Sequence, residues 1–150
     1  KNLVNMKNLF IALLAVFALV SCGNRSGNKA RNREAASIGT VAQAVNKDVV
    51  YVYYFHGKQR CKTCIAVGDV TEKTVIDLYA NNPKVKFVEV KTQEEQNAPL
   101  VEKYQVTWNA LIIAKGEDSN EITKYAFANA VNSPYVLTDL IKTEVDKRLQ

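Results

Sequence analysis

From Leu9 to Val20 twelve consecutive residues are apolar, and the pattern then breaks into Gly23-Asn-Arg-Ser-Gly-Asn-Lys-Ala-Arg-Asn-Arg33, which is small, polar, basic and without apolar periodicity. Apolar positions return sparsely over 34–46 (Ala35, Ala36, Ile38, Val41, Ala42, Val45), a spacing that fits a short helix or an irregular strand equally. Val49-Val-Tyr-Val-Tyr-Tyr-Phe55 is dense in β-branched and aromatic residues and apolar at both parities, which predicts a central strand covered on both sides. A short loop, His56 to Arg60, leads to Cys61 and a helix reaching about Ala80, with Ile65, Val75, Ile76 and Tyr79 as expected core contacts. Gly68 is expected to kink or split that helix, since glycine costs ~1 kcal/mol in a helix interior relative to alanine. Asn81-Asn82-Pro83 ends it.

A second strand is predicted over Lys84 to Val90, with apolar residues at 85, 87, 88 and 90, and a helix follows from about Asn97 to Gln105 with Pro99 near its first turn. Ala110 to Lys115 reads as another buried strand, Gly116 to Asn120 as a hairpin turn, and Glu121 to Phe127 as the antiparallel partner. Ser133 is expected to cap a final helix that has Pro134 at its first position and buries Val136, Leu137, Leu140, Ile141, Val145 and Leu149. The order β-α-β-α-β-β-α predicts an α/β domain: a mixed sheet with helices on both faces.

The apolar run 9–20 is too short to cross a bilayer as a helix, which takes roughly 20 residues, and has the length of a signal h-region. A soluble core helix would show a polar face, and this run shows none. Met6 followed by Lys7 is the expected start of such a signal, with residues 1–5 lying upstream of it. Of the 150 residues, 129 follow position 21, enough for one domain and not for two. The expected organisation is a signal over 1–21, a tether over 22–37 and one domain over 38–150.

The formal charge of +5 is unevenly placed: from Asp48 onward 13 Lys plus Arg face 14 Asp plus Glu, and the excess lies in the signal and tether. The domain carries no basic stripe, so no nucleic-acid partner is expected. Three cysteines are present, Cys22 at the end of the apolar run and Cys61 and Cys64 spaced C-x-x-C. That count leaves no framework of structural disulfides. A lone C-x-x-C suggests either a redox couple or half of a tetrahedral metal site, in which His56 would be a third ligand for zinc or iron and the fourth would come from elsewhere. A static disulfide stapling the helix start is the third reading.

A thiol at a helix N-terminus with Lys58, Arg60 and Lys62 near it in sequence is shifted toward thiolate, so Cys61 is the expected nucleophile and Cys64, one turn later, the resolving thiol. His56 is a candidate proton carrier, because an unperturbed imidazole titrates near neutrality. Tyr51, Tyr53 and Tyr54 sit at strand spacing and are expected in the core.

Leu19-Val20-Ser21-Cys22-Gly23 resembles the lipobox of bacterial lipoproteins: a branched apolar residue, a small residue, then the cysteine that is acylated and becomes the new N-terminus. The resemblance implies lipidation at Cys22. Each buried methylene of the acyl chains is worth ~0.8 kcal/mol, so more than one chain anchors stably. Gly-Asn-Arg-Ser after Cys22 lacks the acidic residues of some surface-export signals, so the expected place is the periplasmic face of a membrane, with the outer membrane favoured over the inner.

Residues 48–150 resemble the thioredoxin fold in three ordered features: the strand 49–55 running by a short loop into Cys61-Lys-Thr-Cys64; the helix Asn97-Ala-Pro-Leu-Val-Glu-Lys-Tyr104-Gln-Val106; and the hairpin Leu111 to Phe127 with Lys115-Gly116-Glu117 at its turn. More narrowly, Tyr54-Phe-His-Gly-Lys-Gln-Arg-Cys-Lys-Thr-Cys64 is similar to a family of secreted or lipid-anchored bacterial thioredoxin-like proteins that carries the label nitrophenyl-compound nitroreductase subunit. No G-x-G-x-x-G phosphate loop is present, so this chain is expected to pass electrons rather than hold a flavin or nicotinamide. The resemblance implies reversible disulfide exchange with protein thiols or disulfides or with a membrane redox partner, and needs no cofactor.

The family pattern is broken twice. Thioredoxins place a cis-proline before the strand facing the dithiol, where it helps exclude metals; the matching position here is Ala110, in Trp108-Asn109-Ala110-Leu111, and a trans peptide is expected because cis costs ~3–4 kcal/mol before alanine. Trp108, Asn109 and Ala110 are thus the expected substrate-docking loop, altered at its proline, with Trp108 either shaping a partner surface or packing on the core. Thioredoxins also carry a buried carboxylate on the strand before the dithiol, which has no counterpart at Tyr53, Tyr54 or Phe55. Ala110 is the residue that favours the alternative function, a non-catalytic module that holds zinc or iron at Cys61, Cys64 and His56 or docks a membrane complex.

Overall fold

In the computed structural model residues 46–150 are described; Cys22, the signal, the tether and all but the last residue of the element expected over 34–46 lie outside them. β1 (Val50–His56) is flanked by β2 (Val85–Lys91), parallel to it, and by β3 (Ala110–Lys115), antiparallel to it, and β4 (Asp118–Glu121) closes the edge beyond β3. The order β2-β1-β3-β4 puts β1 inside the sheet, and only Tyr51 of its seven residues is not buried. Its two parities feed two cores. Val50, Val52 and Tyr54 meet Val67 and Val75 of α1 (Lys62–Tyr79), Ala126 of α3 (Thr123–Asn129) and Leu137, Ile141 and Val145 of α4 (Pro134–Leu149). On the opposite face Tyr53 and Phe55 pack with Val90, Ile112 and Leu100 of α2 (Ala98–Lys103). A parallel β1-α1-β2 unit followed by the antiparallel β3-β4 hairpin, with helices on both faces, is the thioredoxin-like arrangement expected from the sequence.

Four expectations are corrected. The partner of β3 is only four residues long, wholly polar and exposed, and the chain turns helical at Thr123 rather than staying extended to Phe127. Ile122, Ala126 and Ala130 recur every fourth residue and are all buried while Tyr125 is exposed, so this segment obeys the helical period. Thr123 holds the changeover by accepting a hydrogen bond from Leu111 N through Oγ1 at 2.9 Å. The hairpin turn is correspondingly short, Gly116-Glu117, with Lys115 opposite Asp118 and Gly116 at φ 61°.

Gly68 neither kinks nor splits α1, which runs unbroken for 18 residues. It is buried, and a Cβ there would lie 3.0 Å from Tyr54 Cε1 and 2.5 Å from Arg60 Nη2, so the missing side chain is space taken by others. The third correction concerns helix faces: Ile65, Ile76 and Val136 are exposed, whereas Val67 and Thr71 of α1 are fully buried. Each is one position off the core-facing stripe. Ser133 stands at the start of α4 as expected, with Pro134 in its first turn, but its hydroxyl makes no capping bond.

Candidate functional site

β1 delivers the chain to the dithiol through Gly57–Arg60. Cys61 occupies the N-cap of α1 with extended backbone (φ −76°, ψ 168°), and its Sγ accepts the Cys64 N–H at 3.2 Å. Cys61 and Cys64 are joined as a disulfide with their Cα atoms 5.0 Å apart. The two cysteines are unequal, because Cys61 is exposed and Cys64 is 5% exposed. An incoming thiolate therefore reaches Cys61, and a thiolate left on Cys61 inherits the N–H of Cys64 and the positive end of α1.

His56 ends β1 and is buried. Its Nδ1 lies 2.8 Å from the Gly57 carbonyl, an acceptor, so that nitrogen carries hydrogen, and Nε2 lies 3.0 Å from Glu89 Oε1 on β2. Nε2 is buried and makes no well-directed hydrogen bond. His56 is thus engaged with a carbonyl and a carboxylate. Among the described residues no three His, Cys, Asp or Glu side chains group as a metal site.

Sequence reasoning missed Glu89. β2 pairs Tyr54 with Glu89, so a carboxylate that β1 lacks arrives from the neighbouring strand. The signal was there: Val85 and Phe87 pack into the α1-side core, and period 2 puts Glu89 on their face. Arg60 ties the group together. Its Nη1 donates to Glu89 Oε1 at 3.0 Å, its Nη2 reaches the Cys64 carbonyl at 3.5 Å, and its guanidinium carbon lies 5.5 Å from the Tyr54 ring centre. Its charge, near Cys61 in sequence, is partnered by Glu89, and Lys58 and Lys62 are exposed. Tyr54, read from sequence as core alone, also donates its hydroxyl to the Cys64 carbonyl at 2.6 Å. Burial pushes that hydroxyl's pKa up, only partly offset by Arg60, so it stays a donor.

Trp108 is 78% exposed and does not pack on the core, Asn109 is half-buried, and Ala110 is buried at the start of β3 opposite Phe55. The peptide before Ala110 is trans. Trp108, Val101 and Val106, with Gly57, Lys58 and Gln93, line an open cleft of about 720 Å³ that includes the loop leading to the dithiol. Among the described residues no helix is long and apolar enough to cross a membrane.

No family model and no curated protein matches the chain. Among solved structures it is similar to human ERp44 in a zinc-bound form (TM-score 0.48, 14% identity, 66% of this chain and 27% of that one) and to human ERp44 form I (0.48, 14%, 80% and 30%). It is also similar to a malarial protein (0.44, 21%, 65% and 98%). This chain spans less than a third of those two ERp44 chains.

Proposed function

We propose that this chain is a thiol-disulfide oxidoreductase or electron carrier, held by lipid on Cys22 at the periplasmic face of a bacterial membrane, the outer rather than the inner. The observation that carries the redox reading is the inequality of the pair: an exposed Cys61 at a helix N-terminus, its sulfur accepting the N–H of a buried Cys64. In the reducing direction the Cys61 thiolate attacks a partner disulfide, forming a mixed disulfide and releasing one partner thiolate. Cys64, losing its proton, then attacks Cys61 Sγ, closing the internal disulfide and releasing the second partner thiolate. Two electrons pass to the partner, and the oxidising direction is the reverse. His56, whose Nε2 lies 3.0 Å from Glu89 Oε1, is the proton carrier of this reading. The anchor reading is supported by Leu19-Val20-Ser21-Cys22.

The soluble domain is expected to reduce insulin disulfides; Cys61→Ser abolishes this, and Cys64→Ser accumulates a mixed disulfide. Activity surviving Cys61→Ser refutes the exchange reading, and a pair locked below about −300 mV, or purified with zinc or iron bound, favours the non-catalytic module. Radiolabelled palmitate is expected on the full chain and not on Cys22→Ala.

A further inference from the structure

We infer that Gly68 is the notch that seats Arg60, and that Arg60 and Glu89 act as opposed positioning residues setting how strongly the protein favours the reduced form of the Cys61/Cys64 pair. The inference rests on the exchange reading above and adds the residues that tune it. Arg60 immediately precedes Cys61, yet its side chain turns away from solvent, lies along Tyr54 and ends between two acceptors on different elements, the Glu89 carboxylate on β2 and the Cys64 carbonyl on α1. Its Nε is buried with no hydrogen-bond partner. A guanidinium tolerates such a place when contacts at its other atoms hold it.

The contact that makes the place possible is an absent one. A Cβ on Gly68 would come within 2.5 Å of Arg60 Nη2 and 3.0 Å of Tyr54 Cε1. Glycine at this buried helical position costs ~1 kcal/mol in helix propensity relative to alanine, and nothing in the course of α1 requires it. The seat of Arg60 does. Arginine before the dithiol and glycine seven residues after Cys61 are therefore one device.

Its effect follows from charge. Thiol exchange sets a disulfide against thiolate, and a unit charge a few ångströms away alters the free energy of the thiolate and leaves the neutral disulfide nearly unaffected. Arg60 favours the reduced, anionic state and Glu89 opposes it, the two nearly cancelling where they are paired. The other charged or titratable groups around them are Lys58 and Lys62 on the loop and helix start, Asp69 on α1 beside Tyr54, and His56 against Glu89. Removing either member of the pair unbalances the site in a direction known beforehand.

The test is the equilibrium of the purified full chain, in detergent, with reduced and oxidised glutathione at fixed pH, with the alkylation rate of reduced Cys61 by iodoacetamide as a second readout. Arg60→Gln is expected to move the equilibrium toward the disulfide and slow alkylation, and Glu89→Gln to move it toward the dithiol and speed alkylation, each by roughly two- to fivefold. Gly68→Ala is expected to follow Arg60→Gln in sign, and the double variant to shift no further than Arg60→Gln alone. Shifts of the same sign for the Arg60 and Glu89 variants, or none, overturn the inference, because a site merely loosened by mutation moves one way whichever partner is lost. Additive effects of Gly68→Ala and Arg60→Gln overturn the notch. Should Gly68→Ala fail to fold, the signs of the other two variants decide. If the wild-type pair does not equilibrate with glutathione at all, the exchange reading itself fails, an outcome distinct from any pattern among the variants.

Discussion

Tyr53 and Tyr54 are neighbours on β1, both buried, and they lie on opposite faces of the sheet with opposite uses. Tyr53 belongs to an aromatic layer, its ring centre 5.3 Å from that of Tyr51 and 5.6 Å from that of Tyr104, with Phe55 beside it. Tyr54 faces α1, carries Arg60 on its ring, stacks on His56 and donates to the Cys64 carbonyl. One face holds the sheet to α2 through apolar contact. The other uses the same residue type as the floor of a polar cluster linked to the dithiol. Position relative to the helix that carries the cysteines, and not residue type, separates scaffold from site.

The sharpest way to break this contrast is truncation on each face. Tyr53→Ala is expected to have the largest effect on stability, about 3–5 kcal/mol in urea denaturation by analogy with other buried aromatics, while the glutathione equilibrium of the molecules that remain folded stays within about twofold. An equally large shift in that equilibrium would show that the two faces are not separable. Tyr54→Phe keeps the ring and deletes the hydroxyl that bonds the Cys64 carbonyl; the expected loss is about 1–2 kcal/mol, now accompanied by a changed glutathione equilibrium.

A smaller effect sits far from the dithiol, where Tyr79 on α1 donates to Asp146 of α4 at 2.7 Å. Hydrogen bonds from Lys142 and from Tyr79 hold the Asp146 carboxyl below its ordinary pKa. A depressed carboxyl adds stability that is complete above its unfolded-state pKa, so this contribution is expected to start falling as pH drops into the ordinary carboxylate range and to be gone below the native pKa. Tyr79→Phe should flatten that pH dependence without altering exchange. The smallest effect on stability belongs to Trp108→Ala, within about 0.5 kcal/mol because the ring is exposed. A slower reaction with a peptide disulfide, at unchanged reaction with glutathione, would assign Trp108 to partner docking; equal rates for both would remove it from the site.

Period and composition along the chain were enough to place β1, α1, β2, α2, β3 and α4 within a few residues and to put Cys61 at a helix start, because each element has to bury its own apolar stripe wherever it packs. The short edge strand and α3 were misread because Ile122 to Phe127 contains apolar residues compatible with either period, and only packing of Ile122, Ala126 and Ala130 into the α1–α4 core chooses the helix. Gly68 was read as a helix breaker because local propensity is all that a sequence displays there; the structure shows the space its absent side chain leaves to Arg60 and Tyr54.

The candidate site divides the same way. Local order along the chain determined the Cys61-Lys62-Thr63-Cys64 pair, its helix N-terminus and the nearness of His56, since a short loop allows little else. The Glu89 carboxylate, the inward turn of Arg60 and the bond from Tyr54 to Cys64 come from residues 10 to 35 positions apart in the chain, brought together by the register of β1 on β2 and the packing of α1 on the sheet. Strand register and helix packing are decided by the burial of the whole domain at once, and no local window contains that information.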